Sequence, residues 1–188
     1  MYSEGIKRLL DIVLASLSLM FLSPIMLGVS LVIRLDDGGP VFFTQTRIGR
    51  HGTPFQFFKF RSMPVNTGDI PSAQAGNLKV TNVGRFIRRT NIDELPQLFN
   101  ILRGDMSVVG PRPAIPSQEA LLTMRDENGA SLCRPGLTGA AQVNSYDGMP
   151  EDEKAAWDGW YATRVSLSTD LKIVFRTFAY LIKSPPAY

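Results

Sequence analysis

The chain has 188 residues, 44% of them hydrophobic: enough for one buried core and short for two independent domains. Its formal charge of +3 favours anionic partners, whether phosphates, anionic lipid surfaces or nucleic acid. The single cysteine, Cys133, excludes an internal disulfide, and no Cys or His cluster surrounds it to ligate a metal.

The first element is an uncharged run from Ile12 to Ile33, flanked by Lys7, Arg8 and Arg34. It holds about 22 residues, close to the roughly 20 that a spanning helix needs. A cleaved signal peptide fits poorly: the run is too long, and Arg34-Leu35-Asp36 offers no small-residue cleavage site. A straight spanning helix meets the obstacle of Pro24, which lacks a backbone donor and clashes with the carbonyl four residues back. Ser23 beside it can bond its own helix backbone and assist a bend. The third topology is a re-entrant hairpin broken at Ser23-Pro24, with two arms of about 11 residues, each rising about 16 Å, or half the hydrocarbon thickness. Cationic flanks at both ends favour leaving both ends in the cytoplasm.

Val41-Phe42-Phe43 and Phe55 to Phe60 are β-prone and separated by Gly49, Gly52 and Pro54, the pattern of two strands around a turn. Lys59 and Arg61 lie two apart, so on a strand they project to one face. His51, in the turn with no carboxylate partner in view, reads as a surface residue. Residues 64 to 80 are polar and rich in Gly, Pro and Ser, and read as a mobile loop.

The richest stretch is "TNVGRFIRRTNIDELPQLFNILRGDMSVVGPRP". Gly84 to Arg89 predicts a short helix with Arg85, Arg88 and Arg89 on one face. Thr90 or Asn91 is a candidate N-cap for a second helix containing Asp93-Glu94-Leu95. Two acids in a first turn also satisfy the helix dipole, so capping alone accounts for them. Directly after an arginine cluster, however, such a pair can bring a carboxylate nucleophile and a magnesium ligand to an anionic phosphate. Gly110 to Pro113, "GPRP", is stiff and can aim the Arg112 guanidinium. "RPGLTG" reads as a second turn, and "AAQVN", Ala140 to Asn144, as strand-like. Two helices close the chain. One runs from Glu151 to about Val165, and one, capped by Thr169 or Asp170, runs to about Lys183. Leu171, Val174, Phe175 and Phe178 in the last form an apolar stripe that either packs on the core or lies on a membrane surface.

Taken in order, "KR" with Asp11, the mid-run Ser23-Pro24, "GGPVFFTQTRIG", "FKFRSM", "DELPQ" followed by "GDMSVVGPRP", "RPGLTGAAQVN", and Asp158 with Tyr161 resemble the small monotopic phosphoglycosyl transferases, a bacterial sugar transferase family. The resemblance covers nearly the whole chain and looks like the family's minimal catalytic form. Ala140 and Ser145 depart from it, where tryptophan and glycine are common.

The resemblance implies an α+β (α/β) chain, mostly helical with a small β-hairpin. Residues 1–35 would be a re-entrant membrane helix and 36–188 a cytoplasmic catalytic domain with amphipathic interfacial helices, the two forming one functional unit. It implies transfer of a sugar 1-phosphate from a UDP-sugar to a polyprenyl (undecaprenyl) phosphate, with release of UMP, at the cytoplasmic face of a bacterial plasma membrane. Asp93 would be the nucleophile, forming a covalent aspartyl phospho-sugar, Glu94 the Mg2+ ligand, and Lys59, Arg88 and Arg112 phosphate binders. Arg61, Pro113, Gln142 and Asn144 are candidates for the nucleotide and sugar pocket. Two other classes are weighed against this: a non-catalytic membrane-anchored adaptor, and a nucleic-acid binder. The second leaves the apolar run unexplained, so nucleic acid is not an expected partner.

Overall fold

An inward-facing stripe repeats every 11 residues along the first helix. Asp11, Leu22 and Ile33 lie on it, with Ala15, Leu19, Met26 and Val29 between. Eleven residues make about three helical turns, so the stripe stays on one side of a straight helix. That helix, α1 (Lys7–Asp37), follows a π-helical turn at Tyr2–Ile6 and is capped by Gly38 in the left-handed conformation. The computed structural model describes residues 2–64, 80–145 and 149–182. The loop expected over 64 to 80 lies almost wholly outside the described residues.

Helical structure does not break at Ser23-Pro24. Pro24 sits inside one 31-residue helix, in place of the expected two arms. The local reason is visible. Pro24 cannot donate to the Met20 carbonyl, and the Ser23 hydroxyl donates to that same oxygen instead, at 3.1 Å. A single missing donor is therefore compensated within one turn.

The hairpin forms as expected. β1 (Phe42–Ile48) pairs antiparallel with β2 (Pro54–Phe60), in a register that sets Phe43 opposite Lys59. His51, in the turn with φ 57°, is exposed. Then follow α2 (Asn82–Arg89), a 3-10 turn at Ile92–Glu94, α3 (Gln97–Arg103) and β3 (Ser107–Val109). The second half comprises α4 (Glu119–Glu127), β4 (Gly136–Thr138), α5 (Ala140–Val143), α6 (Glu151–Ala162) and α7 (Leu167–Ile182). β3 and β4 pair in parallel over three residues each. "GLT" therefore supplies a strand where a turn was expected, and "AAQVN" supplies a helix where a strand was expected. Four residues are too few for β-propensity to decide, and Gly139 starts the new helix in extended backbone.

Apolar burial ties α1 to the rest along its whole length. Ala15 packs with Phe57, Leu98, Ile101 and Met106, and Met26 and Ile33 pack with Phe60 and Ile87. Three polar anchors fix its N-terminal end. Lys7 pairs with Asp170 of α7, and Arg8 donates to the Ile101 and Leu102 carbonyls at the end of α3. Asp11 accepts from Ser107 Oγ and Val108 N. The opposite face of α1 is exposed and apolar, including Ile12, Leu17, Phe21, Leu27 and Leu31. By length and composition this helix is able to cross a membrane.

α7 begins before the expected cap. Ser166 Oγ accepts from Thr169 N, and Asp170 is buried as a partner of Lys7 and Tyr161. The apolar stripe also divides differently. Ile173 faces the core, whereas Leu171, Phe175 and Phe178 are exposed.

Candidate active site

The acidic pair is presented by a turn whose construction starts in α2. Thr81 caps that helix, accepting from Gly84 N at 2.8 Å. Gly84 lets the helix press against the chain leaving β2: a Cβ there would stand 2.0 Å from the Ser62 carbonyl oxygen. This contact brings Arg88 Nε to Ser62 Oγ at 2.8 Å. Arg85 and Arg89 stay exposed, so one guanidinium of the expected three turns inward. Asn91 then adopts the left-handed conformation, φ 54°, and reverses the chain into the Ile92–Glu94 turn. Asn91 stands at the N-cap position of this short turn, but its side chain makes no capping hydrogen bond. Pro96 cannot donate a backbone hydrogen bond, and α3 starts only after it.

Asparagine 100 sets the distance between this turn and the hairpin. It is fully buried in α3. Asn100 Oδ1 accepts from Phe58 N at 3.1 Å, and Nδ2 donates to the Gln56 carbonyl at 2.6 Å. One amide thereby satisfies the free edge of β2, and Lys59 on that strand reaches both acids. Lys59 Nζ lies 2.7 Å from Glu94 Oε1 and 3.6 Å from Asp93 Oδ2. Arg112, just after β3, reaches the same Glu94 Oε1 at 2.7 Å. It is aimed by two ladder-like bonds, Gly110 N to Thr138 O and Gly136 N to Pro111 O. A Cβ on Gly110 would fall 2.2 Å from the Arg134 carbonyl oxygen, so this close approach needs glycine.

The two carboxyl groups are driven apart electrostatically. Burial raises Asp93 above the ordinary carboxylate range, and the charge of Glu94 adds to the rise. Lys59, Arg88 and Arg112 offset only part of it. Burial also pushes Glu94 up, but Arg112 and Lys59 outweigh it by charge and hydrogen bonding and hold Glu94 far below that range. Adjacent acids with separated affinities can divide labour: one stays a fixed anion, and the other is the more basic and the better nucleophile.

These residues fit a magnesium ion of the phosphate-bound kind. No group of three or more metal-ligating side chains exists among the described residues, so an all-protein cage is not built. Mg2+ commonly takes one or two carboxylates and completes its shell with water and substrate phosphate. Both cations converge on Glu94 Oε1, and Oε2 makes neither of these bonds.

Arg112 and Pro113 continue into a cavity of about 210 Å³, where Gln142 and Ser145 join them. The Gln142 Oε1 atom is buried without a hydrogen-bond partner among the described residues. Asn144, expected beside Gln142, lies elsewhere: its Oδ1 accepts from Arg176 of α7 at 2.7 Å. On a four-residue helix, positions two apart face different sides, whereas on the expected strand they would share one. Arg61 is buried just past β2, where its backbone N–H donates to the Val41 carbonyl. Gln97 is a residue that sequence reasoning passed over. Both of its amide atoms are buried without a hydrogen-bond partner among the described residues, three positions after Glu94. Its helical spacing from the acidic pair was the available signal.

The chain is 44% identical to a UDP-glucose:undecaprenyl-phosphate glucose-1-phosphate transferase of Caulobacter vibrioides, across 97% of this chain and 72% of the relative. It is 37% identical to an undecaprenyl-phosphate galactose phosphotransferase of Salmonella typhimurium, across 99% of this chain. With an N-acetylgalactosaminephosphotransferase of Aeromonas hydrophila, which uses UDP-N-acetylgalactosamine and undecaprenyl phosphate by name, the identity is 39% across 94%. The chain spans less than half the length of these last two, 42% and 44%. A family described as bacterial sugar transferase matches residues 2–184, and this chain belongs to that bacterial sugar transferase family.

Proposed function

We propose that the protein transfers a sugar 1-phosphate from a UDP-sugar to a polyprenyl phosphate in two steps at Asp93. The observation that carries this is the Asp93-Glu94 pair, buried at Asp93 and half-buried at Glu94, inside a cluster of Lys59, Arg88 and Arg112. The names of the relatives support the overall transfer of a sugar phosphate to a polyprenyl phosphate. In the first step an Asp93 oxygen bonds to the phosphorus that bears the sugar. The bond from that phosphorus to the bridging oxygen breaks, and UMP leaves with the electron pair. In the second step an oxygen of the polyprenyl phosphate attacks the same phosphorus, and the bond to Asp93 breaks. One anionic pocket then serves two anionic substrates in turn. Lys59, Arg88 and Arg112 neutralise the diphosphate, without which the carboxylate would be repelled. When bound, Mg2+ would withdraw charge from the phosphate oxygens, with Glu94 as its protein ligand.

The docking of α1 supports an arrangement in one leaflet of the membrane. From Arg8 to Ile33, about 38 Å along the axis, one face lies against the domain and the other is apolar and open. A perpendicular span would carry the domain's charged groups to bilayer depth, at a cost of several kcal/mol each. A helix lying in one leaflet, with both ends on the domain's side, avoids that cost. It also sets Asp93 at the level of a lipid phosphate on the cytoplasmic face.

The catalytic test is incubation with UDP-sugar labelled in the sugar phosphate, with and without polyprenyl phosphate. An acid-resistant, base-labile protein adduct and UMP release are expected, and both should vanish in Asp93→Asn. Full UMP release by that variant would end the proposal, and an unchanged membrane role would then favour an anchored adaptor. Topology is read by labelling a cysteine placed at residue 2. It should report the cytoplasm, the side of the domain to which Lys7, Arg8 and Asp11 hold this end of α1, and a label on the far side would overturn the in-leaflet arrangement.

A further inference from the structure

A second large concavity lies apart from the acidic pair. A groove of about 990 Å³ opens between α6 and α7, and none of Lys59, Arg88, Asp93, Glu94 or Arg112 lines it. Its wall holds Trp157 and Trp160, packed edge to face with centroids 6.0 Å apart, beside Ile173 and Phe175. Three cations surround this apolar wall: Arg164, Lys172 and Arg176. Arg164 stacks over the Trp160 ring at 5.3 Å. No carboxylate lines the groove, and none of the three cations pairs with an acid among the described residues. Next to it Leu167, Leu171, Phe175 and Phe178 are exposed along α7.

This combination selects the chemistry of its occupant. An apolar wall alone would suit any hydrophobic segment, and three cations alone would suit any anion. Together, with tryptophans at the boundary, they match a molecule with acyl chains and an anionic head. We propose that the groove holds an anionic phospholipid of the bilayer. Its chains lie on Trp157, Trp160 and Phe175, and its headgroup phosphate lies among Arg164, Lys172 and Arg176. The inference rests on the membrane-surface orientation proposed above, and it assigns the lipid a site separate from the transfer chemistry. Lys7 pairs with Asp170 at the start of α7, so the groove sits on the element that α1 grips. A lipid held there would anchor the end of the domain next to the N-terminus of α1. It also touches the catalytic side indirectly. Ala140 and Val143 of α5 line the groove, whereas Ala141 and Gln142 line the cavity beside Arg112.

The chain offers a direct reporter, because its two tryptophans are Trp157 and Trp160 and both line the groove. The full chain is placed in zwitterionic phosphatidylcholine bilayers, and part of the lipid is replaced with bromine-labelled phosphatidylglycerol or bromine-labelled phosphatidylcholine. Brominated phosphatidylglycerol should quench tryptophan fluorescence at roughly a tenth of the mole fraction that brominated phosphatidylcholine needs, on the scale of two cations at an anionic surface. The Arg164→Gln, Lys172→Gln double variant, which alters two exposed side chains, should lose that preference. Its UMP release in detergent should equal the parent's. Soluble glycerol phosphate should not compete, which separates a lipid from a free phosphate. Equal quenching by the two lipids, an unchanged preference in the variant, or no quenching at all would overturn the proposal. So would a groove closed by a second copy of the chain, seen as a concentration-dependent dimer that the double variant abolishes. A parent with no UMP release but an intact phosphatidylglycerol preference would instead count against the catalytic proposal alone.

Discussion

Two largely buried charge clusters in this molecule each set an aspartate against a lysine and end in different states. At Asp170 every acceptor is matched: Oδ2 takes Lys7 and the Tyr2 hydroxyl, and Oδ1 takes the Tyr161 hydroxyl at 2.8 Å. Burial and the neighbouring Asp170 push the Tyr161 hydroxyl far above its ordinary value, so it remains a donor. At Asp93-Glu94 two acids share one lysine, and two cations crowd a single oxygen. One acid is left more basic than an ordinary carboxylate, and both amide atoms of Gln97, three positions after Glu94, have no hydrogen-bond partner among the described residues. A charge cluster that serves structure closes on itself. One that serves chemistry keeps capacity for what has yet to bind.

Replacing the aspartate of each cluster gives the sharpest contrast. Asp93→Asn should reduce UMP release by more than about a thousandfold while the melting temperature holds or rises, since a buried acid with a raised pKa is destabilising when ionised. Asp170→Ala should do the reverse. It strands Lys7 and the Tyr2 hydroxyl, and leaves the Tyr161 hydroxyl only the Val109 carbonyl, at a cost of about 3–5 kcal/mol, read by thermal unfolding in detergent, with the folded fraction still releasing UMP. If Asp170→Ala abolished transfer without loss of stability, the division between the clusters would be wrong.

Asn100→Ala probes the link between them and the hairpin. It leaves a β2 donor and acceptor unmet, costing about 2–4 kcal/mol, and lets Lys59 drift from the acids, so it should lower both stability and turnover.

The pH dependence separates the two acids of the pair. Glu94, depressed in the fold, contributes stability above its unfolded pKa of about 4.3, and this is lost as pH falls below that value. Asp93, raised in the fold, contributes in the opposite sense: its share is present at acid pH and lost as pH rises through its raised value. The acid limb of kcat/KM should therefore lie above the ordinary aspartate pKa of about 3.9. Lys59→Met, which removes a lowering charge, should move the limb higher still.

The smallest expected effect is Ser23→Ala, about 1 kcal/mol, because only the Met20 carbonyl loses its partner. A much larger loss would mean that the serine does more than stand in for the missing proline donor.

The hairpin, α2 and α6 were legible in the sequence because strong local signals agree: aromatic and β-branched runs, glycine punctuation, caps and acidic first turns. The acidic pair was legible from its place directly after an arginine cluster, although only Arg88 of the three clustered arginines turns inward. The short elements were not. β3 and β4 exist because Ser107 to Val109 and Gly136 to Thr138 meet across a glycine-lined contact, which three residues of local sequence cannot announce. Lys7 and Arg8 read as free cationic flanks, yet both are used in contacts with α7 and α3. They therefore hold α1 to the domain before they can orient it by charge.

By itself, then, the sequence determined which groups this protein possesses: an apolar helix with a proline in it, a β-hairpin bearing Lys59, an acid pair and stiff arginine turns. Local propensity and side-chain chemistry suffice for that. Only the tertiary structure decided which cations face which acids, because Lys59, Glu94 and Arg112 come from three separate segments. The packing of α1, Asn100 and the two close-approach glycines brings those segments within hydrogen-bonding distance. The opposed pKa shifts of Asp93 and Glu94 arise from that packing, since burial and the exact partner of each oxygen exist only in the folded chain.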